Sequence, residues 1–301
     1  MTRDQAPDKF RHLITVAIVS LYLGVCEQMS EQRLIQLLCS GLFHDLGEMH
    51  LSPALFDRST QLDAELWRQI YSHPIIIQLI LKEFSEYKPE ISQAILEHHE
   101  RLDVSGYPRG ISGDQISPLG RILAVAELGV VLMDRRKNET DWDHLVTSIK
   151  LNAAKYDPKL IRHMVHLFKN NSPVDSKPVD ISKKETQQLW AMLTDLMSKS
   201  AVIISTQDPA NTSINKFLSQ NMDAIQFELS RSGIELDDIS SFITQIEDAS
   251  IELNELNAMA KESLYRIYEI GHQIQRRWPD LVAQQSEESD IKVWLSLSRT
   301  L

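Results

Sequence analysis

The sequence predicts an all-α protein. Residues that favour helices, Leu, Ile, Ala, Glu and Gln, are plentiful, the 10 glycines and 11 prolines are few for a fold full of tight turns, and apolar positions recur at intervals of three and four. In residues 9–26 that stripe is Phe10, Leu13, Ile14, Ala17, Ile18, Leu21 and Val25. A second helix is expected over 31–44 with Ser30 as its N-cap, and shorter ones over 64–71, 75–84 and 90–100. Periodicity then gives way to turn chemistry between Arg101 and Ser117. Ser117 and Pro118 suit the cap and first position of another helix, with Ile122, Val125, Ala126 and Val130 on its apolar side, and helices near 141–154 and 158–168 complete a first domain over 1–170.

Residues 170–180 combine two prolines with small polar residues and lack periodicity, so the boundary is placed there. A second helical domain, a bundle or hairpin, is expected over 183–301, with helices near 184–204, 213–232 and 237–278. In the last, Ile239, Phe242, Ile246, Ala249, Leu253, Leu256 and Ala260 form a coiled-coil-like seam, read as a hairpin within one chain in preference to an intermolecular coil. The domain is expected to serve dimerisation, as a homodimer through these helices, or regulation, and a signalling protein is a further expected partner of the chain.

With 43% hydrophobic and 24% charged residues the chain is neither collagen-like nor globally disordered. Its net charge of −11 lies mostly after residue 170, and an acidic chain lacks the basic face that duplex DNA requires. Read from the sequence, no apolar run approaches the roughly 20 residues of a membrane span, and the first residues carry no signal-peptide core, so a cytoplasmic protein is expected. Cys26 and Cys39 sit among apolar neighbours and read as buried free thiols.

Chemistry gathers around histidine. Six of the ten, His12, His44, His50, His73, His98 and His99, fall in the first hundred residues. An isolated His44-Asp45 pair would ordinarily be a hydrogen-bonded helix end. Its company raises its weight: His73 before a proline, His98-His99 closing a helix, His12 on the first helix and Glu127 on an apolar one. Imidazoles mixed with carboxylates suit Fe, Mn, Ni or Zn, and a pair of such ions clamps the attacking and leaving oxygens of a phosphoester displacement. The absence of cysteine from the set argues against a structural zinc site.

His44-Asp45-x-Gly47, then His73-Pro74, then His98-His99-Glu100-Arg-Leu-Asp103-x-Ser-Gly106-Tyr107-Pro108-x-Gly110, then Arg121-Ile-Leu-Ala-Val-Ala-Glu127 resemble the HD-GYP subgroup of the HD metal-dependent phosphohydrolases over roughly residues 8–140. The resemblance implies an HD-domain helical bundle that holds two divalent metal ions, Fe or Mn, and hydrolyses cyclic di-GMP to pGpG or GMP in bacterial signalling. It implies His12, His44, Asp45, His73, His98, His99 and Glu127 as ligands, His44 and Asp45 as the catalytic pair, and Gly106, Tyr107, Pro108 and Arg136 beside the substrate. Asp8 falls where three-metal members place a glutamate, although a first-turn carboxylate is common at any helix start.

Three departures stand against those matches. Glu48 replaces a lysine, so that Glu48→Lys is expected to restore a phosphate-facing cation; Val104 replaces a glycine and is ill-suited to positive φ; and Val130 replaces a second aspartate. They keep open a degenerate module that acts by binding protein or ligand, and a hydrolase of another nucleotide. His163 and His166 lack an evident carboxylate partner and read, like His144 and His272, as surface residues, while His50 is near enough in sequence to approach the site.

Overall fold

The computed structural model describes residues 7–52, 64–84, 86–134, 142–171, 181–206, 211–236, 238–247 and 250–298. No strand occurs among them, and the chain divides into two compact units, Met1–Ser172 and Pro173–Leu301.

The first unit runs α1 (Pro7–Cys26), α2 (Glu31–Phe43), a 3-10 turn (Leu46–His50), α3 (Ala64–Lys82), α4 (Pro89–Glu97), α5 (Pro118–Asp134), α6 (Trp142–Leu151) and α7 (Pro158–Asn171). Its centre is α5, which is apolar over most of its surface and packs against α1, α2, α4, α6 and α7, as a helix with so little polar face must. Leu119, Ile122, Leu123, Val125 and Val130 of α5 are buried in a core shared with Val16 and Leu23 of α1 and Met164 and Phe168 of α7. The start of α5 is capped as its sequence suggests, since the Ser117 hydroxyl accepts the Gly120 N–H at 3.1 Å and Pro118 follows. Ser30 stands at the N-cap of α2 in extended conformation, but its hydroxyl makes no capping bond.

Several expectations change here. The patterns at 64–71 and 75–84 belong to one helix, α3, because Pro74 is accommodated inside it. α1 is long and apolar enough to cross a membrane, contrary to the sequence reading; its buried residues, among them Leu13, Val16 and Leu23, pack within the unit against α2 and α5. Cys26 and Cys39 are free but only half-buried.

The second unit contains α8 (Lys183–Ser205), α9 (Thr212–Arg231), α10 (Ile239–Gln245), α11 (Ile251–Arg277), α12 (Pro279–Gln284) and α13 (Asp290–Ser298). α8 packs against α9, α10, α11 and α13, which makes a bundle rather than a simple hairpin. Two tryptophans fill it and donate their indole N–H groups to backbone carbonyls, Trp190 to Leu256 at 3.2 Å and Trp294 to Leu196 at 3.0 Å. The expected 237–278 helix is broken: Ser250 caps a new helix by accepting the Leu253 N–H at 3.1 Å, so Leu253, Leu256 and Ala260 are core while Phe242, on α10, is exposed. His272 is buried against Tyr268 with ring centroids 4.2 Å apart, not on the surface. The side chains of Ala249 and His144 lie outside the description.

Leu123→Ala is expected to cost about 2–5 kcal/mol because the void it leaves lies between helices that cannot close on it. Ile18→Ala, at an exposed position, should change stability by less than about 0.5 kcal/mol. Urea denaturation followed by circular dichroism checks both.

Candidate metal centre

The centre is built where helices stop. α2 ends at Phe43 and α4 at Glu97, leaving carbonyls in the last turn without an amide partner. His44 and His98 follow directly, and each donates Nδ1–H to the carbonyl three residues earlier, Gly41 at 2.8 Å and Ile95 at 2.6 Å. α3 achieves the same in its middle, because Pro74 has no N–H to give to the carbonyl of Ile70, and His73 Nδ1 donates to it at 2.6 Å. With Nδ1 held by a carbonyl, each of the three rings turns its Nε2 toward Asp45.

Asp45 lies among them. Its Oδ1 is 3.3 Å from His73 Nε2 and 3.7 Å from His98 Nε2, while its Oδ2 is 3.4 Å from His44 Nε2 and 3.9 Å from His12 Nε2. On the second side Glu127 Oε2 is 3.1 Å from His12 Nε2 and 3.2 Å from His44 Nε2. Two donor groups result, Asp45 with His73, His98 and His99, and His12 with His44, Asp45 and Glu127, each with its ligand atoms within 4.8 Å of one another. The seven residues chosen as ligands from the sequence are those the fold brings together.

These groups suit cations. His73 and His98 set their Nε2 atoms 3.4 Å apart although both are acceptors in the tautomer fixed by Nδ1, and His44 Nε2 is fully buried against the oxygens of Asp45 and Glu127. Such atoms are costly unless a proton or a cation lies between them. The charges divide accordingly. Burial pulls His12 down, but the bond and charge of Glu127 outweigh it and raise its pKa to about 9; His44 is raised in the same way against its burial, chiefly by Asp45. Glu127 is lowered to about 2 despite burial by its bonds from His12 and His44. On the other side burial holds His98 near 4 and keeps His99 well below the usual range, so both stay neutral.

Glycine makes the approach of α3 feasible: a Cβ on Gly47 would lie 2.2 Å from the His73 carbonyl oxygen. The Gly106–Gly110 loop is tied to α4 by two buried carboxylates that the sequence reading passed over. Glu100 accepts the N–H groups of Arg109 at 2.8 Å and Ile111 at 3.1 Å, and Glu97 accepts the Arg109 guanidinium at 2.6 Å and the Ser117 N–H at 2.8 Å. Two glutamates at an apolar helix end were the available signal. Tyr107 stacks on His99 with centroids 4.5 Å apart and meets Tyr71 edge-on at 4.1 Å. Gly110 is at φ +60°, whereas Gly106 is required for space, since a Cβ there would lie 2.5 Å from the backbone of 99–101. Pro108 follows Tyr107 through a cis peptide bond.

Other expectations need correction. Val104 does adopt positive φ, at +59°, with its side chain half exposed and its N–H bonded to the Arg101 carbonyl at 3.1 Å. Val130 is core, and the further acidic group on that face is Asp134, seven residues after Glu127, whose Oδ2 is 3.4 Å from His12 Nδ1. Glu48 pairs with Lys9; burial and Asp45 push its carboxyl up, and Lys9 opposes them. Asp8 is exposed, bonded to Arg11 at 3.1 Å and outside both groups, and His50 is exposed and outside them too. His163 has a carboxylate partner after all, Glu27 at 3.0 Å. Arg135 and Arg136 lie outside the described residues.

A family model described as HD domain matches residues 3–160, more than half of the chain. The chain belongs to the HD domain family. Relatives of this HD domain include the 3'3'-cGAMP-specific phosphodiesterase 3 of Vibrio cholerae, 32% identical over 41% of this chain and 27% of that protein. A cyclic di-GMP phosphodiesterase of Pseudomonas aeruginosa is 24% identical over 55% of this chain and 41% of its own length, and one of Borreliella burgdorferi 23% identical over 76% and 63%. In each case less than two thirds of the relative's length is spanned.

Because His12 carries a proton below about pH 9, a cation entering its group must displace that proton. Affinity there is expected to rise as pH increases toward 9, by up to about tenfold per pH unit for each proton released. Mn²⁺ titrations across that range, repeated in buffers of different ionisation enthalpy, measure it; pH-independent uptake would contradict it.

Proposed function

We propose that the first unit is a phosphodiesterase of the HD-GYP type which uses two divalent cations, Fe or Mn, to hydrolyse a cyclic dinucleotide, cyclic di-GMP to pGpG or GMP or the related 3'3'-cGAMP, in cytoplasmic bacterial signalling. The observation that carries the reading is Asp45, whose two oxygens face two separate imidazole groups. The mixed nitrogen and oxygen donors, without cysteine, suit Fe or Mn. Bound there, two cations supply Lewis acidity and activate water for attack on a phosphodiester.

The chain's own residues do the positioning. His98 and His99, neutral through burial, offer lone pairs without first losing protons. Asp45 and Glu127, ionised throughout the physiological range, supply the negative charge, and Asp45 with His44 forms the junction of the two groups. Tyr107, fixed by its stack on His99 and by the Glu97 and Glu100 anchors, gives the substrate an aromatic wall beside the cations, with Gly106, Pro108 and Gly110 shaping the turn. Arg136 is assigned to substrate phosphate. The relatives' names support the substrate class. The second unit is assigned to dimerisation, docking of a signalling partner or regulation.

A second reading, a degenerate module that binds without turnover, is favoured by one observation: position 48 presents a carboxylate engaged by Lys9 where the resemblance expects a lysine for substrate phosphate. Purified protein with Mn²⁺ or Fe²⁺, assayed for bound metal and for turnover of cyclic di-GMP and 3'3'-cGAMP, separates the two. Metal with turnover is expected, and Asp45→Asn should lower the rate by at least about a hundredfold as it disturbs both groups. Metal without turnover of any cyclic dinucleotide indicates the module, and metal-free, inactive protein overturns the enzymatic reading.

A further inference from the structure

His12 differs from its neighbours in how it is held. Glu127 sits within the buried span of α5, and His44 follows α2 directly with its ring fixed by the Gly41 carbonyl. His12, by contrast, is in the second turn of α1, whose opening residues Pro7 and Asp8 are exposed, and its own side chain retains 17% exposure. A helix start gains little from its own hydrogen bonds, because its first amides have no partner in the helix. Something must keep this turn against the rest of the site.

Lys9 is one turn before His12, and Glu48 is three residues after Asp45, on the 3-10 turn that Gly47 lets approach His73. The two side chains meet in an ion pair that joins residues 39 apart in sequence, with only 36% and 24% of their surfaces exposed. We propose that Glu48 is a positioning residue: through Lys9 it clasps the first turns of α1 to the His44-Asp45 segment and so keeps His12 in the second donor group. The inference rests on the two-cation reading above. It reverses the expectation from sequence for Glu48→Lys, since a lysine at that position would face the Lys9 ammonium and push α1 away.

The test is the Mn²⁺ stoichiometry and affinity of the full chain, by elemental analysis after dialysis and by titration. Wild type should hold two equivalents. Lys9→Gln and Glu48→Lys should each keep the first and weaken the second by about tenfold or more, the usual effect of losing support behind a ligand. Lys9→Arg should retain both, and the swapped double variant Lys9→Glu/Glu48→Lys should recover the second. Retention of the first equivalent shows that a variant is folded. Wild-type affinity for both equivalents in the single variants, loss of both together, or failure of the swap to restore the second overturns the inference alone. A wild type that holds fewer than two overturns the two-cation reading and the clasp with it.

Discussion

The centre depends on the bond from an imidazole Nδ1–H to a carbonyl that its own helix has left without a partner. Gly41 and Ile95 owe that free carbonyl to the end of a helix, and Ile70 owes it to Pro74. The same bond satisfies the backbone, selects the tautomer and points Nε2 inward. Ligand geometry is therefore a property of where helices end. The core around α5 matters to the site mainly because it fixes those ends relative to one another.

Electrostatics follow from this arrangement. Crowding neutral Nε2 atoms and two carboxylates into a buried space leaves acceptors without donors. Protons on His12 and His44 compensate on one side, whereas burial excludes protons from His98 and His99 on the other. The halves thus differ before any ion arrives, one paired with protons and one with bare lone pairs. The loop carrying Tyr107 is held to the same α4 end by Glu97 and Glu100, so the wall of the site and its ligands share a support.

Much of this was legible in the sequence, and for identifiable reasons. Helical period and turn chemistry marked the segments, and the ligand set followed from the resemblance carried by the His44-Asp45, His73-Pro74 and His98-His99 motifs. Long-range pairing left no trace in the pattern. Nothing around Lys9 announces Glu48, and His163 gave no hint of Glu27. Local propensity also misled where context overrode it. Pro74 is tolerated within α3 because His73 satisfies the freed carbonyl, and Val104 enters the left-handed region within a turn tied by Asp103, whose Oδ1 accepts the Ser105 N–H at 3.0 Å. The 237–278 seam read as continuous because its apolar spacing carries across a break that the Ser250 cap imposes.

Asp45 has one further consequence. A carboxylate that offers one oxygen to each donor group makes their occupancies thermodynamically linked, since an ion on one side fixes the plane of the group that the other side needs. Linkage of this kind is reciprocal: whatever free energy the first ion lends to the second, the second returns to the first. Two cations sharing the carboxylate also repel each other, so a singly loaded protein remains a populated state. The group whose imidazoles are already free of protons would fill first, and the ion there would hold the plane of Asp45 for the other.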